Sequence, residues 1–164
     1  KVPDLIPGRG ALSGIHSGLR HSSTPYVFVV ACDMPLVNPG LVRHLASLSE
    51  GCDVVIPETG DGLEPLHAIY GKNALGPIEE SLREGDGRIV DFFDRVKVRE
   101  VSREEVSRFD PAFRSFRNIN TPFDLSRLRR ESTPPGGGET GTPYNALNTG
   151  VVAPDPPVWQ GFRG

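Results

Sequence analysis

The sequence predicts an α/β protein of three layers, in which helices cover both faces of a mostly parallel sheet. Two observations support this fold class. Short apolar runs alternate with helical patterns as far as residue 130, and the run Tyr26-Val-Phe-Val-Val-Ala-Cys32 contains no charged side chain. Such a run is typical of a strand buried on both faces in the middle of a parallel sheet. The chain has 164 residues, 37% of them hydrophobic and 24% charged, which suits one globular domain.

The first three elements are a helix, a strand and a helix. Apolar side chains recur at helical spacing over 11–20, which predicts an amphipathic helix. The apolar run at 26–32 is the strand just described, and it follows a turn. The helix predicted at 38–49 begins with Asn38, a residue preferred as an N-cap, and Pro39, which is favoured at the first helical position.

Strand and helix patterns continue in the middle of the chain. Residues 53–57 (Asp-Val-Val-Ile-Pro) form a second short buried strand, followed by a polar turn over 58–62. Residues 64–70 are strand or extended, 73–84 are helical, and 88–93 form a short helix. The alternation is what the three-layer fold requires.

The last part of the chain changes in composition. Residues 95–101 alternate like an edge strand, 116–119 form a strand, and a helix follows over 122–130. We therefore assign residues 1–130 to one domain. Residues 131–164 are rich in proline and glycine and supply no hydrophobic face, so we expect a disordered tail.

Composition and charge exclude several classes of protein. The net charge of −3 provides no basic surface for nucleic acid or for an anionic membrane. The sequence shows neither an apolar run long enough to cross a bilayer nor a signal peptide, so we expect a cytoplasmic protein. Cys32 and Cys52 are too few for a disulfide framework, and we interpret both as reduced thiols in the core.

Asp33 is the candidate for metal chemistry. It follows the apolar strand directly, and Pro35 prevents the strand from continuing. Ligands of open α/β sheets bind at the carboxyl ends of strands. A carboxylate there suits Mg²⁺, which usually takes one or two carboxylates together with substrate phosphates. The alternative is an aspartate that caps the following turn.

Glycines recur every fourth residue at the start of the first helix, at Gly10, Gly14 and Gly18. This leaves a stripe of bare backbone, which would let a strand or a ligand phosphate approach the helix N-terminus closely. Simple packing of the helix against a neighbour is the alternative interpretation.

Four separated stretches resemble the molybdenum cofactor guanylyltransferases, the MobA family, in both order and spacing. The stretches are Asp4-Leu-Ile-Pro-Gly-Arg-Gly10-Ala-Leu-Ser-Gly14-Ile, Val29-Val-Ala-Cys-Asp33-Met-Pro35, Glu64-Pro-Leu-His-Ala-Ile-Tyr70 and Asn118-Ile-Asn120-Thr-Pro122. The resemblance covers about residues 2–130 and implies a Rossmann-like nucleotidyltransferase fold. The family's Gly-rich nucleotide loop, of the kind Leu-x-Gly-Gly-x-Ser-x-Arg-Met-Gly, has no match here, so we expect an N-terminal segment to be missing.

The resemblance implies transfer of GMP from GTP to molybdopterin with release of pyrophosphate. Asp33 would hold Mg²⁺, Asp4 would contact the nucleotide, and Gly10 and Gly14 would let the backbone approach the ligands. As alternatives, Asp4 is a surface loop charge and the glycines serve helix packing. GTP and molybdopterin are the implied substrates, and molybdoenzymes or their chaperones are candidate partners.

Three residues would bind the acceptor if the resemblance extends to the site. Asn118 and Asn120 would present their amides to the pterin, with a turn-forming pair as the alternative. Arg88 would bind the molybdopterin phosphate, with a solvated arginine at a helix start as the alternative. We interpret His67 as a hydrogen-bonded strand histidine, and we place the other histidines (His16, His21, His44) on the surface.

Other functions also fit the sequence. One is a sister nucleotidyltransferase, making a cytidylyl cofactor from molybdopterin or a nucleotide sugar from a sugar phosphate. Another is an inactive fragment that binds only the acceptor or a partner protein. Asn118 and Asn120 favour the pterin branch, and the missing loop would carry the base preference. Because that loop is absent, we expect the 164-residue chain alone to be inactive.

Overall fold

A computed structural model describes residues 10–85 and 88–119 of the chain. Its helices and strands alternate as the sequence predicts. Helices are α1 (Gly10–His21), α2 (Pro39–Ser47), α3 (Leu75–Glu84) and α4 (Arg103–Ser107), and strands are β1 (Tyr26–Val30), β2 (Val54–Thr59), β3 (Gly62–Leu63), β4 (His67–Gly71) and β5 (Val98–Val101). Short 3-10 helices occupy Lys72–Ala74, Ile89–Arg95 and Arg114–Phe116. No helix in the described ranges is long and apolar enough to cross a membrane.

The sheet is mixed, with strands in the order β1-β4-β2-β5 and the short β3 paired to the end of β2. β4 is antiparallel to both β1 and β2, whereas β5 is parallel to β2. Three of the four longer strands therefore share one direction. Within the described part of the chain, β1 has β4 as its single neighbour, so it does not lie between parallel strands there as the apolar run predicts.

Helices cover both faces of the sheet, which confirms the three-layer prediction. On one face α1, α3 and the 3-10 helix Ile89–Arg95 pack on alternate strand residues, and on the other face α2 and α4 do so. The first core contains Leu12, Ile15, Leu19, Val27, Val29, Val54, Ile56, Ala68, Tyr70, Ala74, Ile78, Leu82 and Phe92. The second contains Phe28, Leu41, Leu45, Val55, Ile69, Val101 and Val106. Both faces of β1 are buried because each faces one of these cores.

The sheet has two ends, which we call the carboxyl end and the amino end. β1, β2 and β5 finish at the carboxyl end, and β4 begins there. At the amino end the chain closes through backbone hydrogen bonds, from Gly71 N–H to the Asp53 carbonyl (2.8 Å) and from Lys72 N–H to the Pro25 carbonyl (2.9 Å). The Asp53 side chain adds another bond there, accepting from Lys97 N–H at 2.9 Å.

Several local predictions are confirmed. The Asn38 side chain caps α2 by accepting from the N–H groups of Gly40 (2.8 Å) and Leu41 (3.3 Å). The helix predicted at 73–84 is α3, entered through one turn of 3-10 helix. The sequence patterns missed the hairpin partner β3 and the short helix α4, which are too short to show a period of their own.

The predicted strand at 116–119 is wrong. Phe116 ends a 3-10 helix, and residues 117–119 belong to no strand in the described structure. The cause is the turn before it, where Phe113 adopts a left-handed backbone with φ of 51°. Cys32 is exposed, so the prediction of a core thiol is wrong there, whereas Cys52 is half-buried and packs against the second core. The predicted helix 122–130 and the tail 131–164 lie outside the described residues.

Candidate functional site

Asp33 lies in the turn that follows β1 at the carboxyl end of the sheet, and it is half-buried. Two other segments meet it through the backbone. Ile119 N–H donates to the Asp33 carbonyl oxygen at 2.8 Å, and Ala31 N–H donates to the Leu66 carbonyl oxygen at 2.8 Å. Three of the stretches that carry the family resemblance therefore converge at this one point.

The Asp33 carboxylate forms neither a hydrogen bond nor an ion pair with the described residues, unlike the carboxylate of Asp53. No described residue therefore competes with a ligand for this carboxylate. The alternative, an aspartate whose side chain caps its own turn, finds no hydrogen bond to support it in the described structure.

Glu64 is the carboxylate that is electrostatically coupled to Asp33. Its backbone N–H donates to the Pro57 carbonyl at 2.9 Å, and its Oε1 accepts from Leu66 N–H at 3.1 Å. Burial raises the pKa of the Glu64 carboxyl, the Leu66 N–H opposes that effect, and the negative charge of Asp33 raises it further. The site therefore favours a cation or a proton near these two carboxylates.

A cleft of about 540 Å³ opens at the same end of the sheet and includes Glu64. The β2–β3 hairpin, the start of α4 and the chain from 111 to 117 form its walls. The lining residues are Thr59, Gly60, Asp61, Glu64, Arg103, Pro111, Ala112, Phe113, Phe116 and Arg117. This volume lies within the range of small-molecule sites.

The cleft contains two guanidinium groups that form no ion pair with any described residue. Arg103 lies over the ring of Phe113, at 5.4 Å from the ring centre, and Arg117 lines the cleft beside it. Neither side chain forms an ion pair within the described ranges, whereas Arg95, Arg99 and Arg108 all do. Arginine side chains in this state are suited to oxyanions or other anionic groups.

His67 lies below the cleft and has no exposed surface. Its ring contacts Phe28 edge-on, with centroids 5.0 Å apart, and Phe116 at 4.8 Å. Neither ring nitrogen has a hydrogen-bond partner among the described residues, so the interpretation of a hydrogen-bonded strand histidine is wrong. Burial lowers the pKa of His67 to about 4, and the negative charge of Asp110 only partly opposes this.

A buried aspartate shapes the cleft wall. The Asp110 carboxylate accepts from Arg114 N–H at 3.0 Å and from Ser115 N–H at 2.7 Å. The Ser115 hydroxyl in turn accepts from Asn38 N–H at 3.1 Å, which joins this wall to the start of α2. These bonds fix the turn that places Phe113 and Phe116 in the cleft.

The other histidines are also more constrained than surface residues. His16 is buried and bonds Glu79 at 3.0 Å, while His44 is half-buried and bonds Glu105 at 2.8 Å. Only His21 is exposed, as predicted. Because these pairs link α1 to α3 and α2 to α4, they hold the helices of each layer together.

Gly10 begins α1 with a left-handed backbone (φ 64°), which only glycine adopts without strain. A side-chain carbon added at Gly10 or Gly14 would meet nothing within 4 Å among the described residues. The alternative, in which Gly10 and Gly14 are small so that a neighbouring element can pack closely, therefore finds no such neighbour among the described residues. A four-residue turn joins the end of α1 to the start of β1, so α1 begins toward the carboxyl end of the sheet.

The remaining predicted site residues are only partly described. Arg88 is exposed between α3 and the next 3-10 helix and forms no ion pair in the described structure. Asn118 is exposed and precedes Ile119, whose N–H binds Asp33. Asp4 and Asn120 lie outside the described residues. Sequence reasoning assigned no role to Arg103, Phe113 or Arg117, because their proximity depends on how the turn over 113–117 folds back toward the start of α4.

Similarity to known proteins shows the family to which the chain belongs. Residues 1–100 match the model of the MobA-like NTP transferase domain. A probable molybdenum cofactor guanylyltransferase from Pelotomaculum thermopropionicum is 44% identical over 128 residues, which cover 78% of this chain and 62% of that protein. A molybdenum cofactor guanylyltransferase from Desulfosudis oleivorans is 36% identical over 125 residues, with 76% and 62% covered.

A solved structure agrees with the fold. The molybdopterin-guanine dinucleotide biosynthesis protein A from Archaeoglobus fulgidus superposes with a TM-score of 0.66 at 38% identity, over 78% of this chain and 65% of that one. The chain thus spans about 62% of the length of these two curated relatives.

Proposed function

Because the chain belongs to the MobA-like NTP transferase family, we propose that it acts in the transfer of GMP from GTP to molybdopterin. The observation that carries the proposal is the convergence at Asp33. Its carboxylate is free of described partners, and backbone hydrogen bonds hold residues 31–33, 64–66 and 118–119 together around it. The names of the relatives specify guanylyl transfer and a molybdopterin-guanine dinucleotide, which supports GTP and molybdopterin as the substrates.

In the proposed reaction a phosphate oxygen of molybdopterin attacks the α-phosphorus of GTP. A new P–O bond forms to the acceptor, the bond to the β-phosphate breaks, and pyrophosphate leaves with the electron pair. The attacking phosphate is already ionised at neutral pH, so no strong general base is needed. Catalysis then depends on alignment and on neutralising charge.

Asp33 would hold Mg²⁺, with Glu64 as the neighbouring carboxylate. The described residues contain no group of three or more His, Cys, Asp or Glu that could hold a metal alone. Mg²⁺ usually takes one or two carboxylates and completes its shell with water and substrate phosphate. The ion, when bound, would neutralise negative charge on the phosphates.

The chain's own residues would position the substrates. The bond from Ile119 N–H to the Asp33 carbonyl holds Asn118 beside the proposed metal site, where its amide can bind the acceptor. From the family resemblance we also propose that Asn120 and Arg88 bind the acceptor. On the same basis, Asp4, Gly10 and Gly14 would contact the nucleotide.

The test compares two aspartates at opposite ends of the sheet, in the protein extended to the length of its relatives. Asp33→Asn should lower GMP transfer by about 10²-fold or more, because losing a carboxylate ligand weakens binding of the Mg²⁺ that would neutralise negative charge in the transition state. The matched control Asp53→Asn should retain transfer. Formation of the guanine dinucleotide is followed with GTP, Mg²⁺ and molybdopterin, and equal rates for Asp33→Asn and its parent at limiting Mg²⁺ would refute the proposal.

A further inference from the structure

The cleft at the carboxyl end contains residues for which the motifs supply no role. Arg103, Phe113 and Arg117 all lie outside the four stretches that resemble the family, and they line the cleft together. A cleft of about 540 Å³ beside a candidate reaction centre is large enough for a bicyclic or tricyclic ring.

Aromatic rings form a fixed surface in this cleft. The Phe116 ring is tilted against the His67 ring, with centroids 4.8 Å apart, and against the Phe113 ring, with centroids 6.0 Å apart. The 3-10 helix that ends at Phe116 is anchored by the buried Asp110 carboxylate. A preformed aromatic surface of this kind favours a flat ligand, since little conformational entropy is lost on binding.

The charges of the cleft are divided between its walls. Arg103 and Arg117 supply two guanidinium groups without an ion-pair partner in the described structure, and Asp61 and Glu64 supply carboxylates from the hairpin and the loop after it. A ligand that carries both anionic atoms and N–H donors would complement both signs. A pterin dithiolene has this composition, with thiolate and carbonyl acceptors and an amino-pyrimidinone edge that donates.

The cleft leads directly to Asp33. Residues 117–119 connect the Arg117 wall to the Asp33 carbonyl, and two extended residues span only about 7 Å. Glu64 belongs to the cleft and is also electrostatically coupled to Asp33. A ring in the cleft can therefore direct a phosphate arm toward the metal-binding carboxylate.

We propose that this cleft binds the pterin ring of the acceptor, with Arg103 and Arg117 binding its anionic groups and the Phe113 and Phe116 rings contacting its plane. This inference rests on the proposed function for the identity of the acceptor. It adds Arg103 and Arg117 to the pterin recognition that the family resemblance implies for Asn118 and Asn120.

The experiment measures binding to the 164-residue chain and does not require turnover. The probe is 6-carboxypterin, a fluorescent anionic pterin, titrated by fluorescence anisotropy, with unsubstituted pterin and inorganic phosphate as comparison ligands. We expect saturable binding of 6-carboxypterin, with Arg103→Gln and Arg117→Gln each weakening it by about tenfold through loss of a charge-assisted hydrogen bond.

The matched control is Arg43→Gln, which removes an exposed arginine of α2 away from the cleft and should leave binding unchanged. Melting temperatures of all three variants show whether the fold is retained. Absence of saturable binding to the parent chain, or equal affinity in the cleft variants, would overturn the inference. Full displacement of the probe by an equal concentration of phosphate would show an anion site without ring recognition, which also overturns it.

The outcome is separable from that of the proposed function. Normal pterin binding by both arginine variants, with transfer lost in Asp33→Asn, would remove only the cleft assignment. Tenfold weaker pterin binding in those variants, with transfer retained in Asp33→Asn, would remove the metal-site proposal and leave the cleft assignment standing.

Discussion

The two ends of the sheet differ in whether their polar groups have hydrogen-bond or ion-pair partners. At the amino end, Asp53 accepts a backbone hydrogen bond through its side chain and another through its carbonyl, so it closes the structure. Among the described residues of the carboxyl end, Asp33 forms a hydrogen bond through its carbonyl alone, Arg103 and Arg117 have no ion-pair partner, and the buried His67 ring has no hydrogen bond. Of the three buried side-chain atoms without a hydrogen bond in the described structure, two belong to His67 at this end and the third is His16 Nδ1 in α1.

This difference indicates which end is optimised for stability and which for binding. A buried polar group without a partner costs about 1–3 kcal/mol. The amino end avoids that cost, whereas the carboxyl end retains it in His67. Strain and unpaired polar groups are commonly retained near functional sites, so the comparison supports the placement of the site.

The largest effect that we expect on stability concerns His67. Its pKa is about 4 in the folded protein and 6.5 ordinarily, so between these values the unfolded chain binds a proton that the folded protein does not. Stability from this group is fully present above about pH 6.5 and is lost as the pH falls toward 4. The loss should amount to about 3 kcal/mol over the whole window.

His67→Phe should remove this pH dependence, since phenylalanine suits the contacts with Phe28 and Phe116 and does not titrate. Urea unfolding at pH 7 and pH 4.5 measures the difference for each protein. His21→Gln, at an exposed position, is the control and should keep the parental pH dependence. The same slope in His67→Phe as in the parent would mean that His67 is not buried in neutral form.

The next effect concerns the wall of the cleft. Asp110→Asn leaves one carbonyl oxygen where two carboxylate oxygens accept from Arg114 and Ser115, so one buried N–H loses its partner. The free energy of unfolding should fall by about 1–3 kcal/mol. Asp61→Asn, on the exposed hairpin turn, is the matched control and should change the free energy of unfolding little. Comparable losses in both variants would show that Asp110 has no special part in holding the wall.

The smallest effect is at the amino end. Asp53→Asn retains an oxygen that can accept from Lys97 N–H, so the free energy of unfolding should fall by less than about 1 kcal/mol. Thermal unfolding checks this value, and binding of 6-carboxypterin should be unchanged. A change in pterin affinity in this variant would contradict the division of the molecule into a structural end and a binding end.

Local patterns determined much of the fold. The apolar run at 26–32 specified β1 because a strand with both faces buried needs apolar side chains in succession, and Asn38 with Pro39 specified the start of α2 because caps act within one turn. The place of Asp33 just after β1 followed from the same run. The motifs around it also identified the family, which the comparisons confirm.

Only the tertiary structure decided how these pieces meet. The antiparallel direction of β4 and the burial of His67 depend on contacts between segments far apart in the sequence, and no local period encodes them. The same holds for the cleft, since Arg103 and Arg117 become neighbours only when the 110–117 turn is fixed by Asp110. The sequence alone thus determined the elements and the aspartate at the site, because those depend on neighbouring residues, and packing decided which side chains surround it.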